Sequence, residues 1–302
     1  MGEGGFDLLP EEARAFLGGL RFRPRLAAEG RVSGVHVSSN LGQSLEFSDL
    51  KGYAFGDDPR GIDWKVFART DKMYVRRYLD ETNLAAHLVI DASGSMAAPF
   101  GASKYNHAAS VLAGLSYVLL RQGDEVGIIV ASERNPRTCP ARSVPSHLNE
   151  ILGLLARTYP AGQTRLEPAM KEVLGRARRK GVVVVASDLL APYRPVVDVL
   201  GMLASRGHAA MLLHVLSQDE RTFPFQGTLV FCSQESGETA LLDARALRRK
   251  YLAAMDLFIG EVRSACHDAR VFYCPVPMAR LPHEEAGEMI RSVEAGRHRR
   301  VP

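Results

Sequence analysis

The sequence predicts an α/β protein: a doubly wound, mostly parallel sheet preceded by a small irregular β-containing block. Three observations carry this. Short apolar runs at 87–91 and 182–188 read as strands buried on both faces. Segments with helical spacing alternate with them, which implies crossover connections and helices on both sides of a parallel sheet. Two of the apolar runs end in an aspartate, Asp91 and Asp188, and open α/β sheets place their ligand sites at strand carboxyl ends.

The elements follow in order. A short helix is expected over 11–20, with Pro10 before it and Gly18-Gly19 closing it. Residues 21–84 scatter Val32, Val35, Val37, Leu41 and Leu45 among Gly and Ser, a pattern of short strands and loops rather than helices. The chain therefore divides into a block at 1–84 and a main domain at 85–302. The block is too poor in apolar residues to bury a core alone and is expected to pack on the main domain. There, a strand at 87–91 leads to a helix over 105–121, whose Val111, Leu112, Leu115, Val118 and Leu119 form one apolar stripe. Gln122-Gly123-Asp124 breaks it. A strand at 125–130 and a short edge strand within 137–144 come next. Helices are expected over 146–157 and 166–179, the second with a basic run at 176–180 that complements its dipole. A strand at 182–188, a helix at 196–206 and a strand at 209–215 continue the alternation. An inserted hairpin at 228–242 turns at Ser236-Gly237. A helix over 244–266, a strand at 271–274 and a helix over 283–295 complete the domain.

Composition excludes several classes. The 302 residues are 46% hydrophobic and 24% charged, ordinary for a soluble globular protein. A net charge of +4 without an RNP-like segment, zinc-finger spacing or a long basic run gives no argument for nucleic acid. The four cysteines, Cys139, Cys232, Cys266 and Cys274, form no C-x-x-C pair. Neither a zinc site nor a redox motif is indicated, and buried thiols are expected. The nine histidines show no H-E-x-x-H or other ligand spacing, so His87 and His214 read as core or edge histidines. The apolar stretches fall short of the roughly 18 residues of a membrane span. The N-terminus lacks the basic start and apolar core of a signal peptide, and a cytoplasmic protein is expected.

The chemistry concentrates in Asp91-Ala92-Ser93-Gly94-Ser95. A carboxylate and two hydroxyls on one tight turn are hard oxygen donors, suited to Mg²⁺ in octahedral geometry at about 2.0–2.1 Å, with Mn²⁺ or Ca²⁺ as alternatives. Gly162-Gln163-Thr164 then puts a hydroxyl at a loop-to-helix junction. The order D-x-S-x-S, Thr, Asp resembles the metal-ion-dependent adhesion site of von Willebrand factor A domains, over 85–274 and the final helix. The resemblance implies a metal at the top of the sheet, with Asp91, Ser93, Ser95, Thr164 and Asp188 as its site. The plain alternative makes Asp91 a cap and the serines turn residues, with Thr164 an N-cap.

A second block precedes this one. Asp49-Leu50-Lys51-Gly52-Tyr53 is followed by Gly56-Asp57-Asp58-Pro59-Arg60-Gly61-Ile62-Asp63-Trp64, then Ala68-Arg69-Thr70. These motifs, and their distance to Asp91, resemble a bacterial family known as domain of unknown function fifty-eight. Phe223-Pro224-Phe225 and the helix around Tyr251 resemble it too. The resemblance implies partnership with MoxR-type AAA+ ATPases, beside which members are often encoded, in assembly, maturation or stress response, and no established enzymatic activity. Read from the residues, Asp57, Asp58, Arg60, Asp63, Lys65 and Arg69 alternate in sign around the sole tryptophan, Trp64. They form either a charge network around a buried Trp64 that locks the block onto the sheet or a docking face.

The leading expectation is a non-enzymatic, metal-dependent interaction protein whose partner is such an ATPase or its client. Mg²⁺ gives up water reluctantly, so an open position can accept a partner's carboxylate. The alternative is a metal-dependent hydrolase of phosphate esters. No second metal set, general base, P-loop or G-x-S-x-G elbow accompanies it.

Overall fold

The structure, a computed structural model, describes residues 6–24, 46–54, 59–79, 84–97, 103–133, 135–163, 165–232 and 237–295. Val32, Val35, Val37, Leu41, Leu45, Asp57, Asp58 and Thr164 lie outside them. The chain forms two compact units, Met1–Ala28 with Leu84–Pro302, and Glu29–Asn83. Helix α1 (Glu11–Leu17) therefore belongs to the larger unit, although it precedes the smaller one. Leu9, Ala13 and Leu17 account for this, because they are buried in the same core as the central helix of the sheet domain.

In the smaller unit, β1 (Glu46–Gly52) pairs antiparallel with β2 (Tyr74–Leu79), and α2 (Trp64–Thr70) lies between them in sequence. This helix stands where only strands and loops were expected. Asp63 nucleates it by accepting from the backbone N–H groups of Lys65 and Val66, and Asp71 ends it at φ 52°. Trp64 is not the buried centre of a charge network. It is 61% exposed at the first helical position, where its ring meets Phe67 edge-on.

The larger unit continues with β3 (Ala85–Asp91), α3 (Lys104–Arg121), β4 (Glu125–Ala131), β5 (Arg137–Arg142), α4 (His147–Ala156), α5 (Leu166–Arg176) and β6 (Gly181–Ser187). Then come α6 (Arg194–Ser205), β7 (Ala209–Val215), α7 (Gln218–Thr222), β8 (Thr228–Cys232), β9 (Thr239–Asp243), α8 (Ala244–Asp268), β10 (Phe272–Val276) and α9 (Pro282–Glu294). Six strands form one sheet in the order β10-β7-β6-β3-β4-β5, all parallel except β5. This is the expected mostly parallel α/β sheet. Both edge strands carry a proline, Pro140 in β5 and Pro275 in β10, the position where a missing N–H costs no ladder bond. The hairpin β8–β9 forms a separate two-stranded sheet.

Period-two alternation sends each central strand to two cores. Leu88, Ile90, Val182, Val184 and Ala186 join Leu112, Leu115 and Leu119 of α3 and Ile290 of α9 on one face. Val89, Val183 and Val185 join Val173 of α5, Leu200 of α6 and Val262 of α8 on the other. Of the four cysteines, Cys139, Cys266 and Cys274 are buried and Cys232 is exposed. Among the described residues no helix is long and apolar enough to cross a membrane.

Gly181 opens β6 against the backbone of Ala85, and a Cβ there would run into the Ala85 carbonyl oxygen. Gly181→Ala should therefore lower the unfolding free energy by about 2 kcal/mol, as overpacking at a rigid backbone does. Urea denaturation checks it; an unchanged midpoint would show that β3 and β6 do not meet at this register.

Candidate metal centre

The order of strands in the sheet reverses between β3 and β6. The chain runs from β3 to β4 and β5 on one side and returns to β6 on the other. Loops leaving the carboxyl ends of these two strands diverge, and a crevice opens between them. Asp91 is the last residue of β3, and Asp188 directly follows β6. Both side chains are buried, each residue 1% exposed.

Neutral donors hold Asp91. One carboxylate oxygen accepts from the Ser93 N–H at 2.9 Å and the other from the Ser187 hydroxyl at 2.6 Å. The Leu189 N–H in turn donates to the Ser187 oxygen at 3.0 Å. Burial, and then the charge of Asp188, push the Asp91 carboxyl up to about 6. The Ser93 and Ser95 hydroxyls hydrogen-bond to each other at 3.0 Å. Adjacent vertices of an octahedron with arms of about 2.1 Å are also about 3.0 Å apart. The donor set thus fits a small hard cation: two buried carboxylates and two hydroxyls at the spacing such an ion requires. The loop that carries Thr164 is tied to the same turn, since Gly94 N–H donates to Gly162 O at 2.8 Å and Ala161 N–H to Ala92 O at 3.0 Å. Asp91, Ser93, Ser95 and Asp188 come together, while Thr164 itself lies outside the described residues.

Asp188 has a cation already. The Lys104 ammonium donates to it at 2.7 Å and to Glu220 of α7 at 2.6 Å. Burial alone would lower the lysine, but the two carboxylates outweigh it and hold the ammonium above its ordinary range. Glu220 is fixed by a capping box with Ser217. Beneath the site, His214 donates from Nε2 to the Asp188 carbonyl at 3.2 Å and accepts at Nδ1 from the Tyr273 hydroxyl at 2.9 Å; the carbonyl can only accept, which sets the tautomer. Burial pushes His214 down to about 4, so it is neutral at pH 7.

Lys104, Ser187, His214 and Glu220 were missed as site residues in the sequence. Lys104 had a signal. A lysine in the first turn of a helix opposes the macrodipole, so its presence there points to a nearby anion.

Fold and site together define an open, mostly parallel α/β domain with paired buried carboxylates at its switch point. Residues 49–256 match the family described as "Protein of unknown function DUF58", and the chain belongs to that family. "Uncharacterized protein Rv1480" of Mycobacterium tuberculosis is 29% identical over 240 residues, 76% of this chain and 74% of that protein. Among solved structures, an aerotolerance-related membrane protein from Bacteroides fragilis is 16% identical, with a TM-score of 0.46 over 70% of this chain and 100% of that one. The SpRpn10 VWA domain is 10% identical, with a TM-score of 0.42 over 68% of this chain and 95% of that one.

Two outcomes follow from these charges. The folded Asp91 carboxyl titrates near 6, above its unfolded value of 3.8. Its contribution to metal-free stability is complete below the unfolded value and lost as pH rises through about 6, on the order of 3 kcal/mol in all. Asp91→Asn should remove that loss, read as the difference in urea-unfolding free energy between about pH 4 and pH 7.5. Lys104→Met leaves Asp188 buried without its cation and should cost about 3–5 kcal/mol, while Lys104→Arg recovers part of it. Equal stability of wild type and Lys104→Met would show the pair to be absent.

Proposed function

We propose that this chain is a non-enzymatic, metal-dependent protein-interaction module. Asp91, Ser93 and Ser95 would hold a divalent cation, Mg²⁺ first, with Mn²⁺ or Ca²⁺ as alternatives. Asp188 and Thr164 would complete the set directly or through water. The observation that supports this most is the state of Asp91: a fully buried carboxylate with neutral donors, facing a second carboxylate and a hydroxyl pair at octahedral spacing. A buried charge of this kind is expensive unless a cation offsets it. The cation would supply an open coordination position able to take a carboxylate from another protein.

The partner class is a MoxR-type AAA+ ATPase or the client it delivers, as the resemblance carried by the Asp49–Trp64 motifs implies. His214 has both its nitrogens engaged and positions Asp188 through its carbonyl.

The test is a melting curve and a pulldown with a MoxR-type ATPase, each with and without Mg²⁺. Saturation at 100 times Kd should stabilise wild type by about 2.7 kcal/mol. Asp91→Ala should gain nothing and lose the Mg²⁺-dependent pulldown. Wild type responding in neither assay overturns the proposal. Metal-dependent turnover of a phosphate ester that Asp91→Ala abolishes favours the hydrolase instead.

A further inference from the structure

A second set of ligand atoms lies away from the crevice. Cys139 of β5 and His147 and Glu150 of α4 each bring one ligand atom to within 4.8 Å of the other two. The strand β5 positions them through a bulge. Ile128 pairs with Cys139 and Val126 with Arg142, so Pro140 and Ala141 together oppose Gly127 alone. The extra residue lets Cys139 and Arg142, three apart in sequence, both reach Glu150. Gly127 allows it, because a Cβ there would meet the Ala141 backbone nitrogen at 2.8 Å.

The histidine points to a ligand. His147 is fully buried. Its Nε2 lies 3.0 Å from the Val126 carbonyl, which can only accept, and 3.7 Å from the Cys139 sulfur; Nε2 therefore carries a proton, and in the neutral imidazole Nδ1 is the lone-pair nitrogen. Nδ1 sits 3.3 Å from a Glu150 oxygen yet is not aligned for a hydrogen bond with it and has no other partner. That Glu150 oxygen also accepts from the Arg142 guanidinium at 3.4 Å. The Cys139 sulfur reaches the same Glu150 oxygen at 3.9 Å. Tetrahedral zinc, with arms of about 2.0–2.3 Å, separates a nitrogen and an oxygen ligand by about 3.3 Å and a sulfur and an oxygen by about 3.5 Å. The nitrogen–oxygen separation matches, and the sulfur–oxygen one is a few tenths of an ångström wide.

We infer that Cys139, His147 and Glu150 form a site for a thiophilic divalent transition metal of the Zn²⁺ class, separate from the crevice between β3 and β6. The roles divide as such sites require. The Val126 carbonyl fixes the imidazole tautomer, and Arg142, at 3.1 Å from the outer Glu150 oxygen, orients the carboxylate. Glu150 is half exposed, which gives the ion a path in and leaves a fourth position to water. On binding, the thiol proton leaves to solvent and sulfur takes the metal. A thiolate excludes Mg²⁺ as the occupant. The sequence hid the set because no two cysteines pair; the spacing is C-x₇-H-x₂-E.

The full-length protein, stripped with a chelator, is titrated with Co²⁺. One equivalent should produce a thiolate-to-cobalt charge-transfer band in the near ultraviolet, and Zn²⁺ should displace it. Cys139→Ser should abolish the band. Glu150→Gln, at a half-exposed position, should weaken Co²⁺ binding roughly tenfold or more. Asp91→Ala should keep the band. Absence of the band in wild type overturns the assignment, and so does its survival in Cys139→Ser or its loss in Asp91→Ala.

Discussion

The parallel pairing of β3 with β6 is the constraint on which the rest depends. Residues 85–90 of β3 pair in register with residues 181–186 of β6, and that register brings Asp91 beside Ser187. A one-residue slip would turn every side chain of β6 to the opposite core. It would also remove the Ser187 hydroxyl from Asp91 and carry Asp188 away from the crevice. The site and the two hydrophobic cores are therefore specified by the same ladder. Leu189 turns the chain away immediately afterwards, at φ 55°, and His214 from the neighbouring β7 holds the Asp188 carbonyl from the other side.

Magnitudes explain why Lys104 stands at the start of α3. Its charge opposes the helix dipole there, a cost of about 0.3–1 kcal/mol. Removing one partner of a buried, hydrogen-bonded ion pair costs about 3–5 kcal/mol. The carboxylates win by several-fold. Lys104 also joins Asp188 to Glu220, so α7, a helix of five residues, is tied to the core of the site by one ammonium. Asp91 has no comparable arrangement. Its donors are neutral, and the strain of burying it appears as a carboxyl pushed up to about 6.

Legibility in the sequence followed the length and burial of each element. Val182 to Val185 could be read as a strand because both faces are buried and the run is wholly apolar. The stripe on α3 was readable because its period persists over 18 residues. Helices α2 and α7 were not, since seven and five residues hold too few turns to show a period; their caps, Asp63 and Ser217, carried the only local signal. Trp64 misled for a different reason. A sole tryptophan reads as a core anchor, but its place follows from Asp63 capping the helix, which puts Trp64 on the first turn and outward. At the candidate site the ends of the two strands were legible as Asp91 and Asp188, and the turn as Ser93 and Ser95. The residues that support them were not. Ser187 and His214 act between neighbouring strands and Glu220 acts from α7, and no sequence spacing encodes such contacts.

The sheet also separates two kinds of ligand chemistry. Asp91 lies opposite Ala131, at the carboxyl end of β4, whereas the Cys139 cluster rests on Val126 and Ile128, toward its amino end. Hard oxygens gather where the loops after β3 and β6 diverge, and that position follows from strand order alone. The thiol, imidazole and carboxylate gather where an edge strand bulges against Gly127, and that position follows from local irregularity. A parallel strand cannot bulge freely with neighbours bonded on both sides, so the second arrangement is available only at β5, the antiparallel edge. Among the described residues the two sets share no residue and no hydrogen bond.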